Sequence, residues 1–312
     1  MPTIRRADRR REFLLHPTVQ ALLAADSSAD CPRQAVRNIV AKVVQEAQQV
    51  GWTGPPFDPE ILASFLGLRI EESAGLRDDQ SGCLVAGPQP TIYINPATMR
   101  VRRRYTVAHE VVHTLLPHCQ MVGDTPPWTY SFDAQSPVEQ LCQVGASELL
   151  MPTPAFHHAV ARRIETLELA HDLRRTFDVS LEAAVRNLVD LSPRPCAVVV
   201  LRLMHKPTEL GPTEQIALPG LDQSPPDKRL RIHYAWTSRP WDGRFLPQFK
   251  SVPNESVAYT VFRDGDAGSS RTVRGEEDWT DVGGLGPCRV EAVKMQRESV
   301  GGAVLCLITA VD

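Results

Sequence analysis

Tyr105-Thr-Val-Ala-His109-Glu110-Val-Val-His113 constrains this chain more than any other stretch. It sets His-Glu-x-x-His inside an apolar run without Gly or Pro, which predicts a helix. On a helix, His109 and His113 are four residues apart and leave the same face. That spacing suits two ligands of a tetrahedral Zn2+, because neutral imidazole is a good zinc ligand. Glu110 stands beside the first His, where a carboxylate can take a proton from water and later return it to a leaving amine. A buried helix that merely carries two His and a Glu is the plain alternative. Val107, Ala108, Val111, Val112, Leu115 and Leu116 surround the polar triplet. Burying those polar groups without partners is costly, and a metal removes that cost.

At 312 residues the chain is long enough for two domains with their own cores. A formal net charge of -3 means that no bulk basicity advertises nucleic acid. The basic start (Arg5, Arg6, Arg9, Arg10, Arg11) reads as a solvated tail or helix face. No apolar run is long enough to span a bilayer, and no export signal opens the sequence. The expectation is therefore a cytoplasmic protein whose seven scattered Cys are reduced thiols, with no membrane partner.

Apolar spacing predicts a helix over 32–50, ended by Gly51, and Asp58-Pro59 opens a short one through Phe65. Leu68–Ile70, Gly82–Ala86 and Thr91–Asn95 read as strands, and Pro117 closes the motif helix. His118 and Cys119 follow Pro117, which turns them away from the His face. Past a Pro-rich loop with Trp128 and Tyr130, Ser136-Pro137 starts a helix that runs through Glu148 to Leu149-Leu-Met-Pro152. Helices are expected over 154–164 and 166–177, with another opening near Val179. From Cys196 the pattern changes to strands, at 197–203, 230–236, 257–262, 288–293 and 303–308.

A catalytic zinc needs three protein ligands, and the third must come from outside the motif. Glu139, in the first turn of the next helix, is the candidate. Ser136-x-x-Glu139 is also a capping box, in which a Glu serves the helix start and needs no metal. Spacing alone leaves both readings open.

Two motifs in order, 105–113 and Glu139-Gln-Leu-Cys-Gln-Val-Gly-Ala-Ser-Glu-Leu-Leu-Met-Pro152, resemble the ImmA/IrrE metallopeptidases. The family pattern is an aromatic-Thr-x-Ala-His-Glu-x-x-His helix, then Glu-x-x-x-Asn-x-Phe-Ala-x-x-Leu-Leu-Met-Pro. Gln143 stands where Asn is usual, and Val144-Gly145 replaces the residue-Phe pair; both changes touch packing more than ligation. A third match, Leu169 to Arg186, falls on a helix-turn-helix-like segment, and the resemblance covers roughly Pro32 to Leu191.

The resemblance implies an α+β chain in three parts. These are a gluzincin-like zinc peptidase domain over 1–153, a helix-turn-helix-like segment over 154–193 and a GAF-like sensor domain over 194–312. It implies Zn2+ held by His109, His113 and Glu139, with Glu110 as general base. It also implies cleavage of a helix-turn-helix repressor, with derepression of stress, DNA-damage or antiphage-defence genes and single-stranded DNA as a possible activator. The competing reading is a degenerate peptidase fold that senses nucleic acid or binds DNA without catalysis. Intact His109, Glu110, His113 and Glu139 favour the enzyme, because binding does not require a general base.

Three further features are open in the sequence. Tyr105, four residues before His109 on the same face, either stabilises an oxyanion or packs behind a ligand. Cys83, in a predicted strand, is either a fourth ligand that keeps the site latent or an ordinary buried thiol. Arg231, Tyr234, Trp236, Arg239, Trp241, Arg244, Phe245, Phe249 and Lys250 interleave as a single-strand-binding face would, or form sheet core with solvated cations.

Overall fold

Proline and small capping side chains set the helix starts. The computed structural model describes residues 6–117, 136–209, 227–241, 245–264, 272–284, 286–295 and 302–310. After α1 (Arg6–Leu15) and α2 (Pro17–Ala25) comes α3 (Pro32–Gln49), with Pro32 at its first position. Its buried stripe of Ala35, Val36, Val40, Val44 and Ala47 follows helical spacing. Asp58 caps α4 (Pro59–Phe65) by accepting the Glu60 N–H at 2.9 Å. Gly67, at φ +76°, takes the chain out of that helix.

Three short strands follow: β1 (Arg69–Glu72), β2 (Gly82–Val85) and β3 (Thr91–Ile94). They form a sheet in the order β1-β3-β2, with β1 parallel and β2 antiparallel to β3. β2 is therefore an edge strand. The motif helix α5 (Arg100–Leu115) packs on this sheet and on α6 (Pro137–Leu150), which also meets α3. The loop with Trp128 and Tyr130, and His118 and Cys119 before it, lie outside the described residues.

Two glycines let α5 be approached from both sides. A Cβ on Gly82 would sit 2.6 Å from Thr106 Cγ2, so β2 lies hard against α5. A Cβ on Gly145 would sit 2.6 Å from Val112 Cγ1, where α6 crosses α5. At the position where the resembled pattern carries Phe, α6 thus lies hard against α5. Gly145→Ala should destabilise the protein by about 1–3 kcal/mol, despite the better helix propensity of Ala. Thermal denaturation that shows an unchanged or higher midpoint would contradict that packing.

Contacts divide the chain into two units, 1–161 with 173–180, and 162–172 with 181–312. The helical segment is shared: α7 (Thr153–Val160) belongs to the first unit, α8 (Leu167–Phe177) contributes to both and α9 (Leu181–Leu191) to the second. Asp178, in the α8–α9 turn, has φ +53°. Its carboxylate pairs with Arg100 and, at 3.2 Å, with Arg104, both on α5.

The second unit is one antiparallel sheet of β4 (Cys196–Met204), β5 (Arg229–Thr237), β6 (Val273–Asp278), β7 (Pro287–Met295) and β8 (Ala303–Ala310), in the order β5-β4-β8-β7-β6. One face packs with α10 (Val257–Asp264), Trp279 and Val282 of the short α11 (Thr280–Gly283). Here the structure corrects the sequence reading: 257–262 is helix, and the strand is 273–278. Ser256 accepts the Tyr259 N–H at 3.3 Å and the Glu277 carboxylate takes the Val257 N–H, so the helix start is satisfied. On the other side of the sheet, α9 packs on β4 and β5. On β7, Glu291 is 4% exposed, accepts the Leu167 N–H at 2.7 Å and pairs with Arg274 at 2.9 Å.

The interleaved Arg and aromatic residues are largely spent inside this unit. Arg231 is 5% exposed and bonds Glu209 at 2.7 Å and the carbonyls of Met204 and Phe249. Tyr234 bonds Glu182, and the Arg186 guanidinium lies 4.8 Å from the centre of the Trp236 ring. Arg239, Phe245 and Lys250 face solvent, while Arg244 lies outside the described residues. Among the described residues, no helix is long and apolar enough to cross a membrane.

Candidate metal centre

The helix period assigns the faces of α5. Thr106 and Glu110 are four apart and both meet β2: Thr106 through the close approach of Gly82, Glu110 through the Leu84 N–H. His109, Val112 and His113 form the adjacent stripe, which faces α6. Arg102 bonds Ser81 at 2.6 Å, and Arg103 bonds Glu60 at 2.8 Å and Glu72 at 2.5 Å. Arg104 donates to the Phe57 carbonyl at 2.6 Å. These contacts fix the rotation of α5, and with it the direction of the His side chains.

On α6, Ser136 accepts the Glu139 N–H at 3.2 Å, so the expected N-cap is present. The Glu139 carboxylate turns elsewhere. Its Oε2 lies 2.9 Å from His109 Nε2 and its Oε1 lies 3.4 Å from His113 Nε2. The two Nε2 atoms are 3.2 Å apart. Three donor groups thus converge on one point. Zn–N and Zn–O bonds of about 2.0–2.2 Å place the ligand atoms of a tetrahedral Zn2+ about 3.3–3.6 Å apart, close to the spacing found here. Glu139 serves the cap with its backbone and the cluster with its side chain.

Burial is the largest influence on the Glu139 carboxyl and pushes it up. The hydrogen bonds from His109 and His113, with the charge of the same two rings, outweigh it and hold the group at about 2. Glu110 is 6% exposed, and its carboxyl is raised, first by burial. Nearby His109 and His113 oppose that rise, and so does the Leu84 N–H. His109 Nδ1 is buried and has no hydrogen-bond partner among the described residues, so Nε2 carries the ring's polar contacts.

Tyr105 is half-buried, its ring 6.1 Å from the His109 ring and tilted by 35°. That geometry fits support of a ligand. Tyr105→Phe should keep its metal and stay within about 100-fold of wild-type hydrolysis, and a larger rate loss with normal metal content would mark an oxyanion role. Cys83 is 1% exposed on β2, and burial, with Glu110 nearby, pushes its thiol up to about 12. The described donor atoms that cluster within 4.8 Å of one another come from His109, His113 and Cys142, not Cys83. Sequence reasoning missed Cys142, although it is three residues after Glu139 and so shares a face of α6 with it.

With this geometry in hand, comparison with known proteins is specific. The model of the IrrE N-terminal-like domain, a peptidase family, matches residues 60–189. Residues 60–189 belong to the ImmA/IrrE family. This ImmA/IrrE segment holds all four of His109, Glu110, His113 and Glu139. The radiation response metalloprotease IrrE of Deinococcus radiodurans is 28% identical over 138 residues, which are 42% of this chain and 40% of that protein. Its counterpart in Deinococcus deserti is 30% identical over 119 residues, 38% of this chain and 42% of that protein. The chain thus matches about two fifths of the length of these relatives. A solved Mycobacterium tuberculosis transcriptional regulator gives a TM-score of 0.53, covering 88% of this chain and 76% of its own at 14% identity, a likeness of fold.

Proposed function

We propose that the chain is a zinc-dependent endopeptidase of the gluzincin type that cleaves a helix-turn-helix repressor and so switches on the genes it silences. One observation carries the reading: the Nε2 atoms of His109 and His113 and the Glu139 carboxylate meet at one point, beside a buried Glu110. His109, His113 and Glu139 would hold the ion. Zn2+, when bound, supplies Lewis acidity for a carbonyl and for water. Glu110 takes the water proton on its carboxylate and returns it to the leaving amine nitrogen. Its burial, which raises the carboxyl, suits a group that must both accept and give back a proton.

β2 supports a route for substrate. It is an edge strand beside α5, and an extended peptide can add to such an edge, with backbone hydrogen bonds setting the register of the scissile bond. Cleavage is then expected in a linker that can extend. The second unit is the sensor in this reading, GAF-like in its place and α+β make-up, with single-stranded DNA as the signal to test. Arg239, Phe245 and Lys250 are the solvent-facing members of its Arg-aromatic set.

The test is to look for a helix-turn-helix protein encoded in a neighbouring reading frame, to incubate it with the zinc-loaded protein, with and without single-stranded DNA, and to map the products by mass spectrometry. Cleavage in an inter-helix linker is the expected result. An uncut partner under both conditions, or a cut inside a folded helix, would contradict the proposal.

A further inference from the structure

α8 ends in a way that its own backbone does not favour. Asp178 follows its last residue at φ +53°, and the Val179 N–H returns to the Arg174 carbonyl at 3.1 Å. Gly or Asn ordinarily fills such a left-handed position, and a carboxylate there meets the negative end of the helix. Arg100 is misplaced in the opposite sense, in the first turn of α5, where the helix end is positive. Each charge answers the other. Arg100 donates to the Asp178 carboxylate at 2.6 Å. The Arg104 guanidinium, 12% exposed, lies 3.2 Å from the same carboxylate and donates to the Asp178 carbonyl at 3.2 Å. Phe177 gives this end of α8 a second hold, its ring centre 5.6 Å from that of Phe156 on α7.

The other end of α8 is held by the five-stranded sheet. Buried Glu291 of β7 accepts the Leu167 N–H at 2.7 Å, and Thr166 Oγ1 accepts the Leu169 N–H at 3.1 Å. A carboxylate at a helix N-terminus is favourable, so this anchor stabilises α8 where Asp178 does not. One unbroken helix thus joins an anchor in the second unit to an anchor on the motif helix.

We propose that Asp178 is a positioning residue for the metal centre: through Arg100 and Arg104 it fixes how α5 is held, and α8 ties that hold to the sheet at Glu291. This rests on the metal-centre reading above. Arg104 stands five residues before His109 and also donates to the Phe57 carbonyl, so the α8–α9 turn and the start of α4 meet on the helix that carries both His.

Asp178→Asn keeps a residue suited to the left-handed turn and removes only the charge. A carboxylate that served α8 alone would not be missed, since its loss relieves that helix end. Hydrogen exchange on the full-length, metal-free protein reads α5 directly. In Asp178→Asn the amides of 100–113 should exchange about 5-fold faster or more, the lower range of coupling between sites, with 167–177 unchanged or slower. Glu291→Met, which removes the acceptor of the Leu167 N–H, should speed the same α5 amides. In the double variant the effect on α5 should not exceed that of Asp178→Asn, because the link is already cut. Val261→Ala weakens the core of the second unit without removing either anchor, and should leave α5 unchanged.

The Co2+-loaded Asp178→Asn protein should show shifted visible bands at equal cobalt content, because the His ligands ride on the released helix. Unchanged α5 exchange in Asp178→Asn, unshifted cobalt bands, or equal acceleration by Val261→Ala and Glu291→Met overturns the proposal and leaves the metal centre standing. Failure of the unsubstituted protein to bind cobalt or zinc overturns the metal centre itself, and the positioning role with it.

Discussion

Glu110→Gln should leave the metal content unchanged and lower peptide hydrolysis by about 10^2 to 10^4-fold, the usual worth of a positioned acid-base group. The side chain keeps its shape and loses only its ability to take a proton. Glu110 is not one of the converging donors: it faces β2, where its carboxylate meets the Leu84 N–H, while His109, His113 and Glu139 meet on the α6 side. On the proposed reading, metal binding and proton transfer fall to neighbouring faces of one helix. The non-catalytic regulator predicts something else. If the fold only binds nucleic acid or a partner, Glu110→Gln has no effect on its output. Equal hydrolysis by the variant and the wild type, at equal metal content, would remove Glu110 from the reaction.

Much of the site was legible because one short motif carries both a period and a chemistry. The end of α5 before Pro117, the N-caps at Asp58 and Ser136 and the short strands before α5 all follow from local rules. Glu139 was not decidable from spacing, because capping and ligation ask for the same residue at the same place. Its side chain turns to His109 and His113, a contact that depends on the rotation of α5 and that local rules cannot supply. Cys142 escaped notice because an apolar helix face hides a small thiol among residues that would be core in any case.

The second unit was harder to read. Val257-Ala-Tyr-Thr-Val-Phe262 is a six-residue apolar run that fits a strand or a helix, and its fate is set by Ser256 and by Glu277, which is distant in sequence. The strand 273–278 alternates half-buried and exposed residues, but Glu276, Glu277 and Asp278 make it look like solvated loop. At the edge of a sheet such charges are what discourages pairing with another chain. The aromatic residues at 234 and 236 alternate as strand residues do, and that pattern cannot say whether a helix or a ligand covers them. α9 covers them here, through Glu182 and Arg186.

Removing a ligand should act on the metal first and on the reaction only through it. Zinc binding by full ligand sets is worth about 10–16 kcal/mol, so each of four ligands contributes about 2.5–4 kcal/mol, and its loss should weaken binding by about 10^2 to 10^3-fold. His109→Ala and His113→Ala should both show this fall in a chelator competition. Glu139→Ala should show it too, and this variant is the sharper test. Were Glu139 only the second half of a capping box, its loss would cost the helix start about 0.5–2 kcal/mol and leave affinity for the ion intact. As the third donor, its loss also leaves His109 and His113 without the carboxylate that holds them at 2.9 and 3.4 Å. A Glu139→Ala protein with wild-type zinc affinity and a lower melting point would return Glu139 to a capping role, and the gluzincin assignment would fall with it.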